Sequence, residues 1–217
     1  EYGIYTNKDY GNVRGLELKL DYSLNNLFVQ TNYTYQFTRG NADNPAQTFN
    51  RQGASIDEVI RFIPMSWDQR HTFNLSLGYN TEAYGVTVTG YYNSGTPYTF
   101  SPQGESNLAL LNLYPNNDYK PSSYYADLSG YINIPKILGI KPRIDFLIYN
   151  LTDRYNEYSV NSETGRSYTA IVNETELLSH RSNFNTYEDR YKDPSMFSSP
   201  RQIKVGVTIL FWIYINT

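Results

Sequence analysis

Seven stretches of this chain alternate apolar and polar residues one for one, a period that suits extended strands with one oily and one wet face. Leu16, Leu18, Leu20, Tyr22 and Leu24 alternate with Glu17, Lys19, Asp21 and Ser23. Asn25 and Asn26 follow as a two-residue hairpin turn, since asparagine tolerates positive φ. The pattern then resumes with Leu27, Val29, Tyr33, Tyr35 and Phe37. The same spacing predicts strands over 71–80, 86–93, 126–134, 143–149 and 201–211. A weaker opening strand over 2–6 brings the expected total to about eight. No run of about 18 apolar residues interrupts the pattern, so the sequence offers no transmembrane helix.

The connections are as informative as the strands. Those at 25–26, 81–84 and 135–141 are short, whereas those at 40–66, 94–121 and 153–200 are long. Strict alternation of short and long puts every tight turn at one end of the strands and every long loop at the other. The brief stretch 7–13 joins the long-loop end by parity. Loops of such length are uncommon within a compact unit and usually carry function. Ser55 and Glu58 have capping-box spacing, with Pro64 as a stop, which predicts a short helix over 56–62. A second short helix is expected over 173–178. No composition shift divides the chain, so residues 1–217 are read as a single β region.

Composition removes several function classes. Cysteine is absent, which excludes disulfides, thiolate catalysis and cysteine-held zinc. A net charge of -3 gives no basic footprint for nucleic acid. Tyrosine supplies 23 residues, while charged residues make up 18%, below the roughly 25% of soluble domains. Aromatics and uncharged polar residues in this proportion favour all-β structure. Nothing resembles a signal peptide, and Glu1 opens the chain without an initiator methionine, as expected of a mature or truncated product.

Alternating strands bury their apolar face in a sandwich core or in lipid. The strands reach about 10 residues or more, the length that crosses an outer membrane at a tilt of about 45°, whereas globular strands average about 5 to 6. The turn asymmetry matches outer-membrane barrels, with short periplasmic turns and long extracellular loops. Tyr22, Tyr33, Tyr35, Tyr79, Tyr91, Tyr92, Tyr124 and Tyr125 lie near strand ends, where interfacial girdles form. The expected fold is therefore all-β: an antiparallel up-and-down transmembrane β-barrel segment in a bacterial outer membrane, surrounded by outer-membrane lipid. On that orientation the last strand descends toward the periplasm.

Four motifs carry a resemblance. Trp67-Asp68-Gln69-Arg70-His71-Thr72-Phe73-Asn74 opens one strand, and Asn93-Ser94-Gly95-Thr96-Pro97-Tyr98 leaves another. Asn150-Leu151-Thr152-Asp153 precedes Tyr155, and Pro200-Arg201-Gln202 leads into Val205-Gly206-Val207 and Phe211. The ordered set resembles the C-terminal barrel region of TonB-dependent outer-membrane receptors and spans nearly the whole chain. The resemblance implies the last third of a 22-strand barrel, whose plug lies outside this sequence. It implies energy-coupled uptake of a scarce solute such as a siderophore, cobalamin, glycan or peptide. Its partners would be the remainder of the receptor, the inner-membrane energising complex acting through the plug, and a surface lipoprotein or other assembly on the loops. Phe211 is the candidate assembly signal, with Trp212 to Thr217 continuing past it. Two alternatives stay open: a complete eight-stranded anchor or adhesin, and a soluble β-sandwich binding module.

The residues suggest binding rather than bond chemistry, and no catalytic residue, cofactor or metal is expected. His71 falls on the apolar register and His180 in a loop, where a structural or interfacial histidine is the better account than a catalytic base. Asp127, Asp145, Arg143 and Lys204 share the polar register and suit interior ion pairs. The Asn41-Ala42-Asp43-Asn44 and Asn116-Asn117-Asp118 clusters offer oxygen donors but lack a full calcium-loop spacing, so they read as turns. Asn-x-Ser/Thr triplets at Asn32, Asn74, Asn150 and Asn173 read as accidents of composition. The candidate ligand-binding residues are the loop-end aromatics Trp67, Tyr98, Phe100, Tyr114, Tyr119, Phe184, Tyr187 and Tyr191, able to stack on a solute.

Overall fold

A computed structural model describes residues 9–53, 61–101, 114–137, 140–171 and 193–210. Among these residues ten strands, one α-helix and a 3-10 turn at Pro194–Met196 follow in order. They are β1 (Gly11–Leu24), β2 (Leu27–Gly40), α1 (Pro45–Gly53), β3 (Ile63–Pro64), β4 (His71–Asn80) and β5 (Tyr84–Asn93). Then come β6 (Pro97–Tyr98), β7 (Asp118–Tyr119), β8 (Ser123–Asn133), β9 (Lys141–Tyr149) and β10 (Gln202–Leu210). Seven long strands form one antiparallel sheet in the order β1-β2-β4-β5-β8-β9-β10, with β3 paired beside β4 on the upper part of β2. β6 and β7 make a separate two-stranded ribbon. Apart from these short insertions, neighbours in the sheet are neighbours in the chain, which is an up-and-down meander.

Register fixes the two faces. Leu18 pairs with Tyr33, Tyr33 with Phe73, Phe73 with Tyr92 and Tyr92 with Tyr124. Lower down, Leu77 pairs with Val88, Val88 with Leu128, Leu128 with Ile148 and Ile148 with Ile203. Partners directly opposite lie on the same side of a pleated sheet, so one apolar face runs unbroken from β1 to β10. The other face sets Glu17 against Thr34, Asn32 against Asn74, Thr89 against Asp127 and Tyr131 against Asp145. A slip of one residue would swap the faces.

The apolar face is uncovered. Leu18 is 56% exposed and Val205 70%, and among the described residues only Ile63 and Met65 are buried hydrophobics. Thr31, a hydroxyl in the middle of the apolar stripe, turns its Oγ1 onto the Asn74 carbonyl at 2.9 Å, so its polar atom is satisfied within the sheet. On the polar face, Asn74 Nδ2 donates to Asn32 Oδ1 at 2.7 Å. Gly78 leaves room there for the Phe28 ring from the neighbouring strand, where any Cβ would overlap it. β1 and β10 form the two edges and do not pair with each other.

The seven long expected strands are present, and β1 begins at Gly11, taking in residues expected in the preceding loop. The opening strand over 2–6 lies outside the described residues, and β3 completes eight strands in the sheet instead. The helix expected over 56–62 falls mostly outside them too, and Arg61 and Phe62 are not helical. The helix over 173–178 is wholly outside. The described helix in the first long loop is α1, where Asn44 caps the Gln47 amide at 3.0 Å, Pro45 takes the first position and Gln47 reaches back to the Asp43 amide at 2.8 Å. Of the expected girdle, Tyr91 and Tyr125 belong to the polar face, where their rings touch. Their positions near strand ends suggested a girdle, but their parity puts them on the wet side.

Candidate functional site

The long connections meet at one end of the sheet, and a buried carboxylate ties them together. Asp68 is fully buried. Its Oδ1 accepts from the Thr38 amide at 2.7 Å, and its Oδ2 accepts from Arg70 Nε at 3.0 Å and the Tyr119 hydroxyl at 2.9 Å. Arg70 also donates to the Tyr119 hydroxyl at 2.8 Å and lies 4.4 Å over the Phe37 ring. Charge-assisted bonds of this kind compensate a carboxylate for lost water. Burial opposes the charge on Arg70, but Asp68 and Tyr119 outweigh it and hold the guanidinium above its ordinary range. Burial, followed by Asp68, raises the Tyr119 phenol, with Arg70 pulling the other way.

The strand-exit motif places Tyr119. Gly95 passes so close to the Lys120 carbonyl that a Cβ would overlap it. The Lys120 amide donates to the Thr96 carbonyl at 3.0 Å, and Pro97 pairs with Tyr119. Tyr98 donates to Asp118 Oδ2 at 3.0 Å; burial and then this contact push its phenol up to about 12. Phe100 and Asn117 bind each other through amide and carbonyl groups, at 2.7 and 3.1 Å.

The two oxygen-rich clusters meet each other. Asn116, in the left-handed region at φ 59°, donates through Nδ2 to Pro64 O at 3.0 Å and to Asp43 at 3.3 and 3.4 Å. Asp43 also accepts from the Ser66 amide at 2.8 Å. Their polar atoms clip one loop to another.

A second knot joins the last two resemblance motifs. Asn150 and Asp153 both adopt positive φ. Asn150 Nδ2 donates to Arg154 O and Ser199 O at 2.9 and 3.0 Å, and Asp153 holds the Arg201 amide at 2.9 Å and its guanidinium at 3.2 Å. Asn156, 1% exposed, accepts from the Tyr124 amide and donates to the Tyr124 carbonyl, both at 3.0 Å. Its side chain thereby continues the ladder where a strand partner would stand. Farther out, Arg166 pairs with Glu157 at 2.7 Å. Burial works against the Glu157 charge, but Arg166 and the Ser167 amide prevail and hold the carboxyl below its ordinary value.

The candidate aromatics among the described residues do not line one common hollow. Trp67, half-exposed, lines a hollow of about 250 Å³ with Tyr10 and Met65. Tyr114 and Tyr119 line another of about 320 Å³ with Arg39, Arg61 and Arg70. Tyr98 and Phe100 are tied up within and beside the β6–β7 ribbon. Phe184, Tyr187 and Tyr191, with the assembly candidate Phe211 and His180, lie outside the described residues. His71 Nδ1 meets the Tyr33 hydroxyl at 2.8 Å on the apolar face. Of the expected interior ion pairs, Arg143 and Asp145 form one at 2.7 Å. Lys204 lies over the Tyr149 ring instead, and Asp127 accepts from the Asn150 amide.

The sequence reading did not single out Asp68, Asn116, Asn150 and Asn156 as knots, nor the arginines of the loop-end hollows. One signal was available: Arg14 and Arg39 fall on the apolar parity of their strands, where charge is out of pattern. No known protein family, curated protein or solved structure matches this chain.

Proposed function

We propose that this chain is barrel wall from a bacterial outer-membrane receptor that imports a scarce solute with energy supplied from the inner membrane, the TonB-dependent kind. The single observation behind this reading is the unbroken, uncovered apolar face of seven strands set against an uncharged-polar and sparsely ionic face. In water, such a face would cost about 25 cal/mol for each Å² left exposed. In hydrocarbon that cost vanishes. From Leu16 to Leu24 the stripe covers roughly 27 Å of strand, or about 21 Å of height at a tilt of about 40°, close to the apolar band of outer-membrane barrels.

Three further features support the reading. Among the described residues no strand pairs with the outer edges of β1 and β10, as a wall segment of a wider barrel requires. The elaborated connections gather at the end that would face outward. The motifs that resemble the receptor family also hold one another, through Asp153 with Arg201 and Asn150 with Ser199. Within this reading the chain supplies wall, inner lining and outer vestibule, and coupling to energy belongs to the plug. A sandwich needs a second sheet on the apolar face, and among the described residues the only other sheet is the two-residue ribbon β6–β7.

The test is cellular. Loop residue Trp67 replaced by cysteine should take up an impermeant thiol reagent on intact cells, while Glu82→Cys in a short turn should react only after lysis. Deleting the receptor and disabling the energising complex should abolish uptake of the same solute. Labelling of Glu82→Cys on intact cells would reverse the orientation, and recovery of the protein in the soluble fraction would end the proposal.

A further inference from the structure

The upper end of the apolar face is basic. Arg14 lies two residues above Leu16 on the same side of β1, opposite Phe37, and Arg39 lies two residues above Phe37 on β2. A hollow of about 660 Å³ opens between them, bounded by Leu16 and Tyr35 below and by Phe62 beside it. It adjoins the 320 Å³ hollow that holds Arg61, the two sharing Arg39 and Phe62. No aspartate or glutamate among the described residues lines either hollow. Arg70 is occupied by Asp68. Among the described residues, Arg14 bonds only the Asn12 amide oxygen, at 2.9 Å, and Arg39 and Arg61 make no ion pair.

Arg14 and Arg39 therefore stand where the leucine stripe ends, with Arg61 in the adjoining hollow, and none of the three forms an ion pair among the described residues, although Arg39 also borders the hollow that holds Asp9 and Asp43. A guanidinium matches a phosphate through paired N–H donors, and basic pockets at the margin of an apolar surface select anionic headgroups. We infer that Arg14, Arg39 and Arg61 form a site for the phosphate of an anionic lipid, whose acyl chains lie along Leu16, Leu18 and Tyr35. The amphiphile matches the surface in order: charge on charge above, hydrocarbon on hydrocarbon below. This inference rests on the membrane reading of the apolar face and adds the lipid class held at its outer margin. It also explains why charge is tolerated on the apolar parity of two strands.

The experiment uses the whole receptor that contains this chain, reconstituted in vesicles of phosphatidylcholine with and without phosphatidic acid, and reads retained lipid by native mass spectrometry. Wild-type protein should keep phosphatidic acid at least about tenfold over its share of the bilayer, a difference of about 1.4 kcal/mol. The triple variant R14Q/R39Q/R61Q should lose that preference yet insert normally into phosphatidylcholine. The triple variant K19Q/K136Q/K141Q, which removes equal charge elsewhere, should keep it. Equal loss in both variants would mean diffuse attraction and overturn the site. Displacement of the lipid by inorganic phosphate alone would assign the pocket to a free anion and overturn the lipid assignment. Insertion without any preference would overturn this inference alone. Failure of the wild type to insert into phosphatidylcholine would overturn the membrane reading as well.

Discussion

The sheet and the loop end of this molecule are built in opposite senses. On the sheet, side chains such as Leu18, Leu77 and Val205 stand exposed on one face. At and near the loop end the deeply buried side chains are mainly polar: Thr38, Asp68, Asn116, Asn150, Asn156 and Ser167, against Ile63 and Met65. A water-soluble domain reverses this distribution. On the proposed membrane reading, the two regions answer to different solvents. Strands lined up by backbone pairing need no packed core if hydrocarbon covers them. Loops standing clear of that hydrocarbon must satisfy every buried polar group among themselves.

Breaking the loop-end knot should have the largest effect. Asp68→Ala leaves the Thr38 amide, Arg70 and Tyr119 without their shared acceptor. Loss of one partner from a buried charged pair costs about 3 to 5 kcal/mol. Hydrogen exchange at the Thr38 amide should rise accordingly, while exchange in the middle of β4 stays slow. Loss of protection throughout the sheet would show that the two regions are not separable.

The sheet's two faces give the next test. Leu77→Arg places a charge on the apolar face and should cost about 2 to 4 kcal/mol near the bilayer midplane. Ser76→Arg, one residue away on the polar face, should stay within about 0.5 kcal/mol. Urea unfolding from lipid vesicles measures both. Equal effects would erase the distinction between the faces.

A smaller change is expected at Asn156. Asn156→Ala frees the Tyr124 amide and carbonyl in a buried place, at a cost of about 1 to 3 kcal/mol. Faster exchange at Tyr124, with little change at Leu128, is the expected signature.

The least disruptive probe is pH, which acts at the loop end. The Tyr98 phenol is raised in the folded protein to about 12 from 10.0. Its contribution is complete below the unfolded value and is lost as pH rises through that window. Glu157 is depressed below its ordinary 4.5, so its contribution is present above that value and fades as pH falls through the folded one. Exchange in 97–101 should quicken under alkaline conditions, and exchange in 157–167 under acidic ones. A flat response at both extremes would detach these groups from the stability of the loops.

How much was readable in advance follows the same division. The strands could be read because period two is a local property, visible in Leu16 to Leu24 without knowledge of any partner. The Asn25-Asn26 turn was readable for the same reason, and Asn25 does adopt positive φ. Helix α1 carried its own signal in Asn44, Pro45 and Gln47, beside a competing capping-box spacing at Ser55 and Glu58. The knots were not readable. Asp68 finds Thr38 across 30 residues and Tyr119 across 51, and no local pattern marks which aspartate will be buried. Aromatic side chains in the loops suggested the candidate site because stacking is their familiar role, while the hydroxyl contacts of Tyr98 with Asp118 and Tyr119 with Asp68 carried no local signal.

The account turns on what covers the alternate side chains of the inner strands. Cysteine is absent from the chain, so single replacements at Phe73, Asn74, Leu75, Ser76 and Leu77 of β4 can each carry a fluorophore in vesicles of brominated lipid. Strong quenching at 73, 75 and 77 with weak quenching at 74 and 76 is the predicted result. Quenching without that alternation, or none at the odd positions, would contradict a hydrocarbon-facing sheet.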